Sequence, residues 1–224
     1  MELPDYWLSR PDAEPGPEMR ASFDRTWDRA IAAGDGSLVE VEPALRWQFL
    51  CHLADARGLV LHGSGDPGIE VFEPRQAIDL REFGNRKAVY AAGDGIWAMF
   101  FAIVDRDRVG SVTNACVRLA DAAGNVSPPQ YVFSISQSAL PDQPWRSGCV
   151  YVLPGDTFEL QPPLSFGEFE VRIPQLASLV AVRPLARVAV EPADFPFLAE
   201  IRGHDDDRLA EYAHALETGA PWPE

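Results

Sequence analysis

Apolar residues recur at spacings of four over positions 18–33, where Met19, Phe23, Trp27 and Ile31 set one stripe of an amphipathic helix and Gly34 supplies its stop. A second helix opens near Pro43, a residue suited to a first helical turn, and shows its buried face as Leu45, Phe49, Leu50 and Leu53. Gly58 ends it and hands the chain to an apolar strand at 59–61, which runs into the turn His62-Gly63-Ser64-Gly65. A further strand at 88–91 leads into an apolar helix from Asp94, its N-cap, to about residue 105. Between these strands, residues 64–87 read as one long loop punctuated by proline and glycine, and loops of that length commonly carry function.

The second half changes period. Stretches 112–119 and 131–136 alternate as strands on either side of Ala122-Ala123-Gly124-Asn125, the pattern of a hairpin. Strands at 149–153 and 186–190 follow, kept short by Pro154, Pro162, Pro163, Pro174 and Pro184. A last helix runs from Asp205 to about residue 217, capped by Asp205 or Asp206 and stopped by Gly219. Residues 1–17, rich in Pro, Asp and Glu, read as an extended arm. Helices at both ends around a run of short strands predict an α+β fold with a mixed or mostly antiparallel sheet. The organisation expected is an arm and helices over 1–57, a core over 58–200 and a C-terminal helix over 201–224.

Composition narrows the function. Thirty-four acidic against 19 basic residues give a formal charge of -15, and no cluster of Lys or Arg relieves it. Such a surface repels phosphate backbones and anionic lipid, so neither nucleic acid nor a membrane is an expected partner. The longest apolar run, 96–104, is too short to span a bilayer, and the acidic start lacks a signal-peptide pattern. Three scattered cysteines, Cys51, Cys116 and Cys149, fit a reducing cytoplasm better than a disulfide framework. Without paired Cys or His at ligand spacing, no metal site is expected. The Asp205-Asp206-Asp207 run reads as helix capping and dipole complement.

Two chemistries compete for the His-Gly-Ser turn. An α/β-hydrolase oxyanion loop is one, but that fold needs a Gly-x-Ser-x-Gly elbow, and none occurs here. His204 comes late enough to serve as a triad base, yet the sequence offers it no nucleophile. The other chemistry takes the pair of motifs together. His62-Gly63-Ser64 at one strand's end, then Val89-Tyr90-Ala91 and an apolar helix, resembles the diphtheria-toxin/PARP-like ADP-ribosyltransferases of the His–Tyr–Glu type. The later Gly148-Cys149-Val150-Tyr151-Val152-Leu153 resembles a central strand of bacterial members, and the likeness covers roughly residues 58–190.

The resemblance implies a split, mostly antiparallel sheet with flanking N- and C-terminal helices. It also implies NAD as substrate, with transfer of ADP-ribose to an unknown protein or small-molecule acceptor, or to water. In that reading His62 binds a ribose hydroxyl, backbone groups of Gly63 meet the nicotinamide amide, Tyr90 stacks on the ring and Ser64 adds a hydroxyl contact. Glycine suits close ligand approach. His62 and Tyr90 are then expected to face one cleft across adjacent strands. The chain departs from the pattern at the acid: spacing puts Gln175 there, with Glu159 an alternative and Glu170 a third. An acid matters because cleaving the nicotinamide–ribose bond builds an oxocarbenium-like charge. Two other readings stay open, a catalytically silent interaction protein of this fold and a hydrolase using the His-Gly-Ser-Gly turn. The related RNA 2'-phosphotransferases rely on a basic surface, which this chain lacks. Arg75 could meet a pyrophosphate, though a surface ion pair is its commoner fate.

Overall fold

The computed structural model describes residues 3–34, 36–77, 82–166 and 169–223, so positions 78–81 of the long loop lie outside the described residues. Its elements run, in chain order, β1 (Leu8–Ser9), α1 (Pro17–Ala33), β2 (Ser37–Leu38), α2 (Arg46–Arg57), β3 (Val60–Ser64), β4 (Arg75–Gln76), β5 (Lys87–Ala92) and α3 (Gly95–Ile103). There follow β6 (Val112–Ala120), β7 (Gln130–Ser136), β8 (Gly148–Leu153), β9 (Glu159–Leu160), β10 (Leu164–Phe166), β11 (Phe169–Arg172), β12 (Gln175–Ser178), β13 (Ala186–Val190), β14 (Arg202–His204) and α4 (Leu209–Thr218).

The fold is α+β, with two sheets. One has the order β1-β7-β6-β11-β10, with β14 also on β7; the other has the order β2-β13-β8-β3-β5-β12-β9, with β4 on β5. Among the described strand pairs only β2–β13 and β7–β14 are parallel. The expected hairpin is β6–β7, in register from Val112 opposite Ile135 to Val117 opposite Gln130. The 1–17 arm is tied down. Its β1 pairs with β7, and the buried Tyr6 hydroxyl donates to the carbonyls of Ala215 (2.9 Å) and Ala220 (3.0 Å).

Helix α1 corrects one expectation. Phe23 and Trp27 are buried as the stripe predicts, but Ile31 is 44% exposed and Ala30 is buried in its place. Each step of four residues overshoots a turn by about 40°, so three successive steps carry the last one off the face. Helix α2 ends as expected on Gly58, whose φ of 62 lets its N–H reach the Leu53 carbonyl.

The main core lies between the sheets. It joins Phe23 and Trp27 of α1, Phe49 and Leu53 of α2, Val150 and Val152 of β8, and Tyr131 and Phe133 of β7. Helix α3 sits inside it, buried on all sides except at Phe101, as suits a helix apolar all round. Asp94 caps it by accepting from Trp97 N–H at 2.9 Å. Two strand glycines let it approach the second sheet: a Cβ on Gly63 would stand 1.9 Å from the Ala98 carbonyl oxygen, and one on Gly148 2.2 Å from that of Ala102. Gly63→Ala is therefore expected to destabilise the fold by about 2 kcal/mol, the usual range for overpacking. A thermal melt should show a fall of roughly 4–8 °C, and an unchanged midpoint would contradict this close seating.

Candidate functional site

The sequence places its candidates around β3 and β5. The strand does not stop at Leu61: β3 continues through His62 and Gly63 to Ser64, which sits opposite Cys149 of β8. Pairing with β8 satisfies this backbone, which is why the His-Gly-Ser segment extends the strand and the turn begins only after it. There the Ser64 hydroxyl accepts from Asp66 N–H at 3.1 Å, and Asp66 accepts from Gly68 N–H at 2.8 Å. On its other side β3 meets β5 at one register pair only, Leu61 opposite Ala92.

Where the two strands part, the His62 side chain bridges them. Its Nδ1 lies 2.7 Å from the Tyr90 carbonyl oxygen, and that contact requires Nδ1 to carry the proton. Burial is the main cause of a lowered His62 pKa, with the positive Arg75 adding to it, so the ring is neutral. Nε2 is then left as a bare acceptor. The ring packs 4.6 Å from Phe72, which in turn makes an edge contact at 5.1 Å with Tyr151. The segment over these rings is pinned twice. The Tyr151 hydroxyl donates to the Asp66 carbonyl (2.7 Å) and accepts from Ile69 N–H (3.0 Å), while Phe72 and Val182 exchange backbone bonds of 2.8 and 2.9 Å.

Tyr90 does not share that face. Cross-strand partners project to the same side and neighbours along a strand alternate. The register of Leu61 with Ala92, carried on, sets Gly63 rather than His62 opposite Tyr90. His62 thus lies on the side of Phe72 and Tyr151, and Tyr90 on the side of Ala92 and α3. The expectation of two side chains flanking one cleft from one face is overturned by this single-residue offset. The Tyr90 hydroxyl is fully engaged: it accepts from Arg86 N–H (2.8 Å) and lies 2.8 Å from the Phe83 carbonyl oxygen. Gly63 also differs from expectation, since its bare α-carbon faces α3.

Register brings two of the three acid candidates beside Tyr90. Tyr90 stands opposite Ala177, and Ala177 opposite Glu159, so all three project from one side; Gln175, opposite Ala92, joins them. The Glu159 carboxylate is 59% exposed and pairs with Arg86 at 2.9 Å, and Arg86 holds the Tyr90 hydroxyl through its backbone. Gln175 is half-buried. Glu170 is excluded by topology: it sits on β11 in the other sheet, paired with Arg172 at 2.6 Å. Arg75 is exposed on β4.

One alternative closes here. An antiparallel sheet around β3 removes the α/β-hydrolase reading of the His-Gly-Ser-Gly segment, because that fold hangs its nucleophile from a parallel sheet. All three thiols are buried, and burial is the first cause that raises each; Cys51, with Asp94 adding to it, is pushed up to about 12. Among the described residues no group of His, Cys, Asp or Glu is placed to hold a metal ion, and no helix is long and apolar enough to cross a membrane. A cleft of about 290 Å³ lies elsewhere, between arm residues 10–15 and α2, where the Gln48 amide and Arg20 are already bonded to the arm.

Phe72 and Arg86 have no signal in the sequence, and Tyr151 stands there only as a member of the 148–153 strand. For Tyr151 a signal existed, since one hydroxyl in an otherwise apolar buried strand must find polar partners. No family model, curated protein or solved structure matches this chain.

Proposed function

We propose that this protein binds NAD where β3 and β5 part, and transfers ADP-ribose from it to a protein or small-molecule acceptor, or to water. The supporting observation is the state of His62. A neutral imidazole whose Nδ1–H is held by the Tyr90 carbonyl offers Nε2 only as an acceptor. The complement of a fixed acceptor is a donor such as a ribose hydroxyl. Tyr90, Glu159 and Gln175 project together from the opposite face of the same sheet, so this reading has the dinucleotide pass around the strand end to meet them. The acidic surface leaves few phosphates neutralised, which favours a small ligand over nucleic acid.

NAD at about 100 times its Kd is expected to stabilise the fold by about 2.7 kcal/mol, a readily measured rise in melting temperature. His62→Ala should remove that rise while the apo protein still melts cooperatively. A flat melting temperature up to millimolar NAD would refute the proposal.

A second reading has its own support. Arg86 neutralises Glu159, and Gln175 carries no charge, so the site fits binding without turnover. NAD-dependent stabilisation with no nicotinamide released over hours would favour this silent, interaction-type protein.

A further inference from the structure

His204, late in the chain and without a motif partner, gains one through folding. Strand β14 runs parallel to β7, setting His204 opposite Ser136 and Arg202 opposite Ser134. This buries the imidazole completely, at 0% side-chain exposure, among three serines and Asp206. Its Nδ1 lies 2.7 Å from Ser134 Oγ, and its Nε2 lies 2.6 Å from Ser111 Oγ. The Ser134 hydroxyl also lies 3.1 Å from the Arg202 carbonyl oxygen, and in the tautomer where it donates there Nδ1 is the donor in the first contact. With the ring neutral, Nε2 is an acceptor aimed at Ser111.

Ser111 Oγ also lies 2.5 Å from Asp206 Oδ1, which accepts from Ser136 Oγ at 2.8 Å as well. One hydroxyl proton therefore faces two bases. Whichever base holds it, the oxygen is drawn toward alkoxide character, which is how a serine becomes nucleophilic. Ser111 is partly exposed and Asp206 stands at the surface, whereas the His204 side chain is buried, so the oxygen sits between solvent and a dry base. From these distances we propose that Ser111 is a reactive nucleophile with His204 as its general base and Ser134 as the group that orients the imidazole. Asp206 beside the oxygen repels anions, so the electrophile it takes is an uncharged activated acyl or phosphonyl group. This site stands apart from the His62 segment and does not depend on NAD binding.

With an uncharged fluorophosphonate the step is a substitution at phosphorus. The Ser111 Oγ–P bond forms, the P–F bond breaks, fluoride leaves, and the hydroxyl proton passes to His204 Nε2. Several groups set the charge around that imidazole. Asp205 and Asp206 precede α4, Tyr212 on α4 brings its ring to 5.7 Å, β7 offers only hydroxyls, and the Arg202 guanidinium turns toward Asp5 at 3.9 Å. Burial lowers the His204 pKa, against the pull of the two aspartates. Protonating Nε2 turns it into a donor and ends its service as a base, so reactivity must fall on acidification.

The test is to treat the full chain with a fluorophosphonate probe and locate the adduct by peptide mass spectrometry. A single adduct on Ser111 is expected, absent in Ser111→Ala, with the rate at least tenfold lower in His204→Gln, at the modest end of general-base effects. Because His204 is fully buried and its replacement by Gln puts the fold at risk, the wild-type rate is also followed against pH. It should decline through a midpoint below about 6.5, the ordinary imidazole value. No adduct, an adduct spread over many serines, or a rate that shows no decline on acidification while the chain stays folded would each overturn the assignment.

Discussion

Asp94→Ala is expected to destabilise the protein by about 4 kcal/mol, combining loss of a helix cap with loss of a buried ion pair. One carboxylate serves three partners here. Oδ1 caps α3 through Trp97 N–H, while Oδ2 takes the Arg10 guanidinium at 2.5 Å and the Tyr131 hydroxyl at 2.8 Å. The Asp94 side chain is 2% exposed and that of Arg10 17% exposed. Removing the carboxylate leaves a partly desolvated guanidinium with the neutral Tyr131 hydroxyl at 3.1 Å and Asp55, at the surface, to meet it. Asp94→Asn keeps an oxygen for the cap and loses the charge, so it should fall between wild type and alanine. Urea denaturation of the three proteins would test this order, and a loss under about 1 kcal/mol for the alanine variant would show that Asp55 alone suffices for Arg10.

The second large effect concerns turnover and rests on the NAD proposal. If Glu159 stabilises the oxocarbenium, Glu159→Gln should lower nicotinamide release by about 10²–10³-fold, as for loss of one preorganised electrostatic contact. NAD should still raise the melting temperature of that variant. If Gln175 holds the position instead, wild-type turnover is slow, and Gln175→Glu should speed it about 10-fold for about 1.4 kcal/mol of added stabilisation. The sheet allows either, because β9 and β12 deliver both residues to the side of Tyr90. Brisk turnover indifferent to both substitutions would remove the whole row from the mechanism.

Local signals carried the helices and their ends. Asp94 as a cap, Gly58 and Gly219 as stops, and the apolar run of α3 all depend on residues within one or two turns of each other. The 1–17 arm, by contrast, gave no hint that Arg10 would reach Asp94, because two helices and four strands lie between them along the chain. Strands β9 to β12, two to four residues long and interrupted by Pro162, Pro163 and Pro174, carry too few alternations to be read. The candidate site failed at register. His62 and Tyr90 were both picked out, yet which of His62 and Gly63 stands opposite Tyr90 is set by one pairing, Leu61 with Ala92, that hydrophobicity does not encode. The partnership of His204 with Ser111 was equally hidden, since it needs a parallel pairing between β14 and β7 across a long stretch of chain.

The seating of α3 inside the core also bears on when the protein can fold. This helix is too apolar to rest in water, and its cover arrives late: β3 is closed by β8, and β8 by β13, whose last residue is Val190. During synthesis the segment 95–103 must therefore wait, unshielded, while nearly ninety further residues emerge between Ile103 and Val190. Pairings so distant along the chain close slowly, because the entropy of the intervening loop is lost before any contact compensates it. A nascent chain halted before β13 holds its most hydrophobic segment in the open, which makes the interval before Val190 the period of greatest exposure to aggregation and of greatest need for a chaperone.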